Sequence, residues 1–399
     1  MTSVIWHPRL DKHAERYRQL AAELTERHFA PAAEEIDREQ RYPKEHVKVL
    51  VDSGLAGLFV PEEFGGQGAS MVATCAAMEE LAKGCASTSA ILSAYILGAF
   101  PIVLAGTEEQ KHRYLGALAR DGDAVSFALT EREAGSDAAA STTTAEPDGD
   151  GVRLRGEKCF IGNGGASRYY CVFAKAHDAG DGRSAAISTY MVDREADGVT
   201  IDFFEDKMGI RGTLTSNLKL DTTVPSDALV GEPGRGLRLA LGTLDVARIA
   251  VGAQALGLAM AAFEEAARRA ASRQAFGRPI IDNQGIAFPL ADVATGISAA
   301  RMLMYEAARA YDEGRDLGAL GAMSKLYASE VSHRAVDVAV QVFGGYGYCK
   351  PHPVERYYRD QRIIEIYEGT SEIQRLVIGR AIKKAATDSA PAGVAVGAP

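Results

Sequence analysis

The sequence has little from which to build a disulfide framework or a metal centre. Its five cysteines, Cys75, Cys85, Cys159, Cys171 and Cys349, are widely scattered. None forms a C-x-x-C pair, and an odd count fits a reducing compartment. The eight histidines show no H-E-x-x-H or comparable spacing, so no metal is expected. Basic residues are not in excess: the formal net charge is −9. Non-specific nucleic-acid binding needs clustered Lys and Arg to displace counterions, and the acidic balance argues against it. A local basic patch for a phosphorylated ligand stays open. No G-x-G-x-x-G follows a strand-like run, which argues against a Rossmann dinucleotide fold. The N-terminal "MTSVIWHPRLDKHAERYRQL" lacks an apolar signal core and carries acids that a transit peptide avoids. Charge is also missing between Lys83 and Glu108. That stretch is long enough to cross a bilayer, but Pro101 and four hydroxyl residues before Tyr95 interrupt it. A pair of buried core helices is the expectation, in a soluble, cytoplasmic protein with no membrane span.

What is present is a chain of 399 residues, enough for two or three domains. Residues 1–122 read as an N-terminal helical domain. "RYRQLAAELTERHFAPAAEEIDREQ" has helical spacing broken at Pro31, and "KEHVKVLVDSGLAGL" stops at the glycine-rich "PEEFGGQGAS". Residues 123–235 change texture: "DAVSFALTE", "GVRLRGEKCFIGNG", "RYYCVFAKA", "SAAISTYMVD", "GVTIDFFE" and "SNLKLDTTVP" are short β-rich runs between Gly, Asp and Pro clusters. They predict a small β-barrel or sandwich. Over 236–385 long amphipathic helices return and predict a four-helix bundle, the last helix running from about Glu372 to Lys384. Residues 386–399 read as a disordered tail. The fold class is mainly α with a central β-domain.

Five segments stand out. "FALTEREAGSDAA", from Phe127, turns at Ala134–Asp137 and exposes backbone N–H groups with the hydroxyls of Thr130 and Ser136, which suit a cofactor's polar edge. On spacing alone, a β-to-loop connection is the better reading. "EKCFIGNGG" offers Phe160 either as a flat surface beside a planar ring or as a core aromatic before a hairpin. In "SRQAFGRPIIDNQGIAF", Arg273 suits a pyrophosphate, or equally a helix C-terminus. In "QVFGGYGY" the paired glycines permit close approach of a ligand or simply end a helix. Last, "IYEGTSEIQR" sets Glu368 one residue before Gly369. Thr370 or Ser371 would cap the next helix with Glu372 in its first turn, leaving Glu368 outside the helix and free to project into a cavity.

Taken together, "TEREAGSDA", "KMGIRGTLTS", "SRQAFGRPI", "QVFGGYGY" and "IYEGTSEIQRLVIGR" resemble the acyl-CoA dehydrogenase family in order and spacing over nearly the whole chain. The resemblance implies FAD as cofactor. It implies that Phe127, Leu129, Thr130, Gly135 and Ser136 hold the flavin and its ribityl chain, with Phe160, Ile161 and Gly162 packed on the ring. Arg273, Gln274, Phe276, Asn283, Gln284, Gln341, Val342, Gly344, Gly345, Thr370 and Glu372 match further FAD contacts. Ser136, Asp245, Arg248, Tyr367, Gly369 and Arg380 match positions at the thioester ligand, and Glu368 matches the catalytic base. In the family, FAD is shared across a subunit interface, which implies a homo-oligomer, usually a tetramer. Electron-transferring flavoprotein is the implied acceptor. Two positions depart from the pattern. Gly162 stands where many members carry a hydroxyl, and Ala247 occupies an alternative site of the base.

Removal of an α proton needs a polarised thioester carbonyl and a carboxylate opposite the flavin, while the flavin takes the β hydride. Burial would raise the base toward working pH. Bulky Tyr95 and Ile96, on the segment matching the acyl-pocket floor, suggest short or branched acyl groups, unless both point into helix packing. Rival readings keep the fold: an acyl-CoA oxidase, a flavin monooxygenase, or the same desaturation on an acyl-carrier-protein thioester. A binding protein without turnover would be expected to lose Glu368.

Overall fold

The computed structural model describes residues 4–176 and 187–388. Helices come first: α1 Lys12–Leu24, α2 Ala30–Glu39, α3 Lys44–Asp52, α4 Met71–Gly84, α5 Ala86–Ala105, α6 Glu108–Gln110 and α7 Gly116–Asp121. The chain does not break at Pro31. A π-turn over Thr25–Phe29 joins α1 to α2, and Pro31 lies in the first turn of α2, where a missing N–H loses no helical bond. Nor is the uncharged stretch a pair of helices. It is the single helix α5 with Pro101 inside it. Proline there removes only the N–H that would bond Leu97, and burial of nearly the whole helix holds the turn. Among the described residues three helices are long and apolar enough to cross a membrane by length and composition, α5 among them, and most of its apolar window is covered by the fold.

Strands follow: β1 Val125–Ala128, β2 Thr144–Asp148, β3 Gly151–Gly162, β4 Tyr169–Ala176, β5 Ile187–Asp193, β6 Val199–Phe204, β7 Thr215–Pro225 and β8 Leu229–Val230. They form one mixed sheet in the order β6-β7-β3-β2-β4-β5-β8, with β1 added parallel to β4. The sheet wraps its own apolar core, including Leu154, Tyr170, Val172, Val192 and Leu220. No ladder joins edge strands β6 and β8 among the described residues, so the expected barrel is open. Helix α5 packs on this sheet so closely that a Cβ on Gly98 would fall 1.8 Å from the Val125 carbonyl oxygen. Glycine is the residue that permits the contact.

The second helical part contains α8 Gly236–Ser272, a two-strand ribbon (β9 Gln274–Ala275, β10 Arg278–Pro279), α9 Gln284–Asp312, α10 Leu320–Phe343, α11 Val354–Gln361 and α12 Ser371–Asp388. The four long helices are the expected ones, and α11 and the ribbon are additions. Helix α12 continues through Asp388, past the expected end at Lys384 and into the stretch read as a tail. The rest of that stretch, 389–399, lies outside the described residues. The middle of α8 is buried on all sides. A buried Arg301–Glu79 ion pair of 2.8 Å ties α9 to α4, and Arg301 also donates to the Trp6 carbonyl.

Candidate active site

After α11 the chain passes a 3₁₀ turn, Arg362–Glu365, and reverses before α12. Two consecutive residues are left-handed: Glu368 at φ 52° and Gly369 at φ 94°. Thr370 caps the helix, its Oγ1 accepting from the Ile373 N–H at 3.3 Å. Glu368 therefore stands in the turn before the cap, directed away from the helix axis. Glutamate in the left-handed region is strained by roughly 1 kcal/mol or more. Such strain persists only where the surroundings over-determine it.

The Glu368 carboxylate meets α5. Its Oε1 accepts from Ser93 Oγ at a long 3.5 Å, and its Oε2 is buried with no partner. Burial pushes the carboxyl up to about 7, against the opposing charges of Lys325 and Arg248 and the Ser93 bond. Lys325, on α10, is fully buried and donates from Nζ to the Gly369 carbonyl at 2.8 Å. Burial lowers its ammonium to about 8, although Glu368 favours the charged form. Gln374 Nε2 donates to the same carbonyl at 2.8 Å and to that of Glu368 at 3.3 Å. Arg248 lies buried on α8, paired to Asp245 at 2.6 Å, with Nε unpartnered. Tyr367 donates its hydroxyl to Gln254.

Ser93, Gln254, Lys325 and Gln374 were not anticipated from the sequence. Lys325 left a signal there. It is the sole charge between Asp316 and Glu330 and recurs with Gly321, Ala328 and Ser332 at helical spacing, all of them buried. Tyr95 and Ile96, by contrast, do not floor a pocket. Both are buried in helix packing, and the half-buried positions of that turn of α5 are Ala94 and Leu97.

The second wall is the β-domain. Lys158 is fully buried and donates to the Leu129 carbonyl at 3.1 Å and to Glu131 at 2.8 Å. Glu131 also accepts from the Thr142 N–H and hydroxyl and from the Thr143 N–H. Burial would raise its carboxyl, but the Lys158 charge and these donors outweigh that and bring it down to about 2. The Cys159 N–H closes the contact on the Thr130 carbonyl at 2.9 Å. Next comes a β-bulge between Lys158 and Ile161, where Phe160 takes φ 57° and stands 63% exposed. Leu129 and Ile161 have buried side chains, so they offer backbone alone, and Phe127 packs on Phe173. Gly135 and Ser136 are exposed. The Gly162 carbonyl accepts from Ser126 Oγ at 2.8 Å. A Cβ there would meet only Ala94, at 3.6 Å, so nothing in the backbone forbids a side chain at this position.

One turn of α5 thus joins both walls: Ser93 touches Glu368, and Ala94 lies against Gly162. The remaining sequence-selected residues stand elsewhere. Arg273, Gln274, Gln284, Gln341, Gly344 and Gly345 are exposed. Phe276, in the turn of the β9–β10 ribbon, is 96% exposed. Val342 is buried, and Asn283 accepts from Arg278 Nη2 at 2.8 Å. Along α8, Arg273 lies 25 residues beyond Arg248, roughly 37 Å at 1.5 Å per residue. This group and the Glu368 group are not brought together within one protomer. Glu372 and Arg380 lie exposed on α12.

Comparison with known proteins gives matches over most of the chain. The family models for the N-terminal, middle and C-terminal domains of acyl-CoA dehydrogenase match residues 11–122, 126–223 and 234–383. A probable acyl-CoA dehydrogenase of Mycobacterium tuberculosis is 43% identical over 94% of this chain and 96% of its own. The structure of butyryl-CoA dehydrogenase from Megasphaera elsdenii is 39% identical, with a TM-score of 0.91 over 95% of this chain and 100% of that one. A chain solved in work on the electron transferring flavoprotein of Acidaminococcus fermentans is 40% identical, with a TM-score of 0.92 over 94% and 99%.

Proposed function

The chain belongs to the acyl-CoA dehydrogenase family, and from that premise we infer an FAD-dependent α,β-dehydrogenation of acyl-CoA in which Glu368 takes the α proton. The observation that carries the assignment of the base is the unpartnered, buried Oε2 of Glu368, held beside the turn of α5 that also meets Gly162. The residues present fit FAD. Phe160 presents a flat apolar face on a bulge, half-buried Thr130 follows β1 with its carbonyl bonded to the Cys159 N–H, and Ser136 stands exposed in the loop beyond it. FAD, when bound, supplies the acceptor for the β hydride.

The protein's own groups do the rest. Glu368, raised to about 7, is matched to proton abstraction near neutrality. Its N–H is the donor we assign to the thioester carbonyl, whose charge builds as the proton leaves. Gly369 keeps the turn intact: a Cβ there would fall 2.7 Å from Gln374 Nε2, which donates to the carbonyls of both turn residues. Arg248 and Asp245 flank the ligand from α8. The short-or-branched expectation loses its first basis with Tyr95 and Ile96. A short acyl chain is still our reading, now supported by the likeness to a butyryl-CoA dehydrogenase.

The distance between the two residue groups supports FAD shared between two copies, one giving the Glu368 side and its partner the Arg273 ribbon. Exposed Phe276, Phe288, Tyr346 and Tyr348 give that ribbon and its neighbours an apolar surface to bury. We assign a homo-oligomer, a tetramer in the family pattern, with electron-transferring flavoprotein as acceptor and a cytoplasmic location. Arg273→Ala is expected to lower bound flavin several-fold and weaken the oligomer, read from the visible absorbance of purified protein and its size in solution. Unchanged flavin and size would refute the shared site.

The function is tested by anaerobic titration of the flavin-loaded protein with an acyl-CoA series, following bleaching of the visible band. Bleaching by the short members is the expected result. No bleaching by any acyl-CoA would overturn the reading.

A further inference from the structure

Lys325 has a role that the assigned machinery does not use. A fully buried ammonium is rare without a carboxylate in direct contact. Among the described residues Lys325 has none within ion-pair distance, and it donates to the Gly369 carbonyl at 2.8 Å. That carbonyl belongs to the second of the two left-handed residues that aim Glu368. Its other donor, Gln374, comes from the helix the turn leads into. Lys325 is therefore the tie that fixes the turn to a separate helix, α10, which is packed against α8.

The charged and polar groups around the Glu368 carboxylate come from every element that packs on it. Ser93 faces it from α5, Arg248 with its partner Asp245 from α8, and Lys325 from α10. Tyr367, bonded to Gln254, adjoins it on its own turn. Glu365 and Glu372 act on Lys325 from either side of the turn. Of the two cations, Arg248 already has a carboxylate 2.6 Å away. Lys325 does not, so its field is the less compensated at Glu368.

We propose that Lys325 is a positioning residue for proton abstraction: it pins the Glu368–Gly369 turn through the Gly369 carbonyl and sets its charge opposite the ionised Glu368. The proposal rests on Glu368 being the base. Loss of a nearby positive charge disfavours the carboxylate, so the acid limb of the rate moves to higher pH. Loss of the hydrogen bond loosens the turn and lowers the rate at every pH.

Two variants separate these parts. Lys325→Met removes charge and donor, while Lys325→Gln removes charge and keeps a donor. The measurement is the single-turnover rate of flavin bleaching against pH, with flavin content and thermal midpoint recorded for each protein. In both variants the limb is expected to shift upward by about one pH unit, a tenfold loss of rate on the limb. The alkaline plateau is expected to fall further in the Met variant than in the Gln variant. Lys325→Arg is expected to bring the limb back. Should the Met protein not fold, the Gln and Arg proteins still decide the charge. A lowered thermal midpoint with the limb unmoved overturns the proposal and leaves Lys325 a structural residue. Glu368→Gln is measured alongside: normal turnover there would refute the base and, with it, the role of Lys325, whereas an inactive Glu368→Gln protein with the limb unmoved in the Lys325 variants refutes the role of Lys325 alone.

Discussion

Glu368→Gln is expected to keep its FAD and lose turnover by about 10²–10⁴-fold, the range a positioned general base contributes. Glutamine preserves the size of the side chain and its contact with Ser93, and it cannot accept the α proton. The same substitution is expected to make the protein more stable at alkaline pH. The wild-type carboxyl rises from 4.5 in the unfolded chain to about 7 in the folded one, so ionising it in place opposes folding. The penalty is absent below pH 4.5, grows through that interval and is complete above about 7. At 1.36 kcal/mol per unit it amounts to about 3 kcal/mol. Glutamine carries no such charge, so the variant's thermal midpoint should exceed the wild type's at pH 8 and match it at pH 4. Full turnover, or a midpoint lowered at pH 8, would remove Glu368 from the role of buried base. The pairing of lost rate with gained stability is what a strained, desolvated catalytic group predicts.

The position of Glu368 outside the last helix was legible from the local order of residues. A glycine, a hydroxyl cap and an acid in the first turn are read within five residues, and the Ile373 N–H does bond Thr370. The strands were legible for a similar reason. In β7, burial alternates along "LKLDTTVP" as one face packs inward. Where the reading failed, the deciding partner was remote. Pro101 breaks a helix by local rules, and only the surrounding core keeps α5 whole. Ser93 lies 275 residues from the carboxylate it touches, and Lys325 lies 44 from the carbonyl it binds. Tyr95 misled because adjacent helical residues face directions about 100° apart. A match over a short segment cannot choose between Ala94, which faces the site, and its neighbour, which packs inward.

Lys158→Met should be the most destabilising single change near the segments proposed to hold flavin. Lys158 and Glu131 are both buried, and removing one partner leaves an uncompensated charge, a loss of about 3–5 kcal/mol. The damage would not stay local. Lys158 Nζ also holds the Leu129 carbonyl, so the same atom ties the end of β1 to β3 immediately before the bulge that presents Phe160. Flavin retention should therefore fall together with thermal stability, measured as bound FAD per chain and as thermal midpoint. The double variant Lys158→Met, Glu131→Gln separates the two effects. Neutralising Glu131 removes the stranded charge, and most of the stability should return. The tie to Leu129 stays broken, so flavin binding should remain weak. If flavin returned in step with stability, the pair would be a core staple and no more. If stability recovered while flavin did not, the pair positions the flavin wall. That outcome is expected, because Lys158 bonds the backbone of the segment proposed to hold flavin as well as the carboxylate beside it.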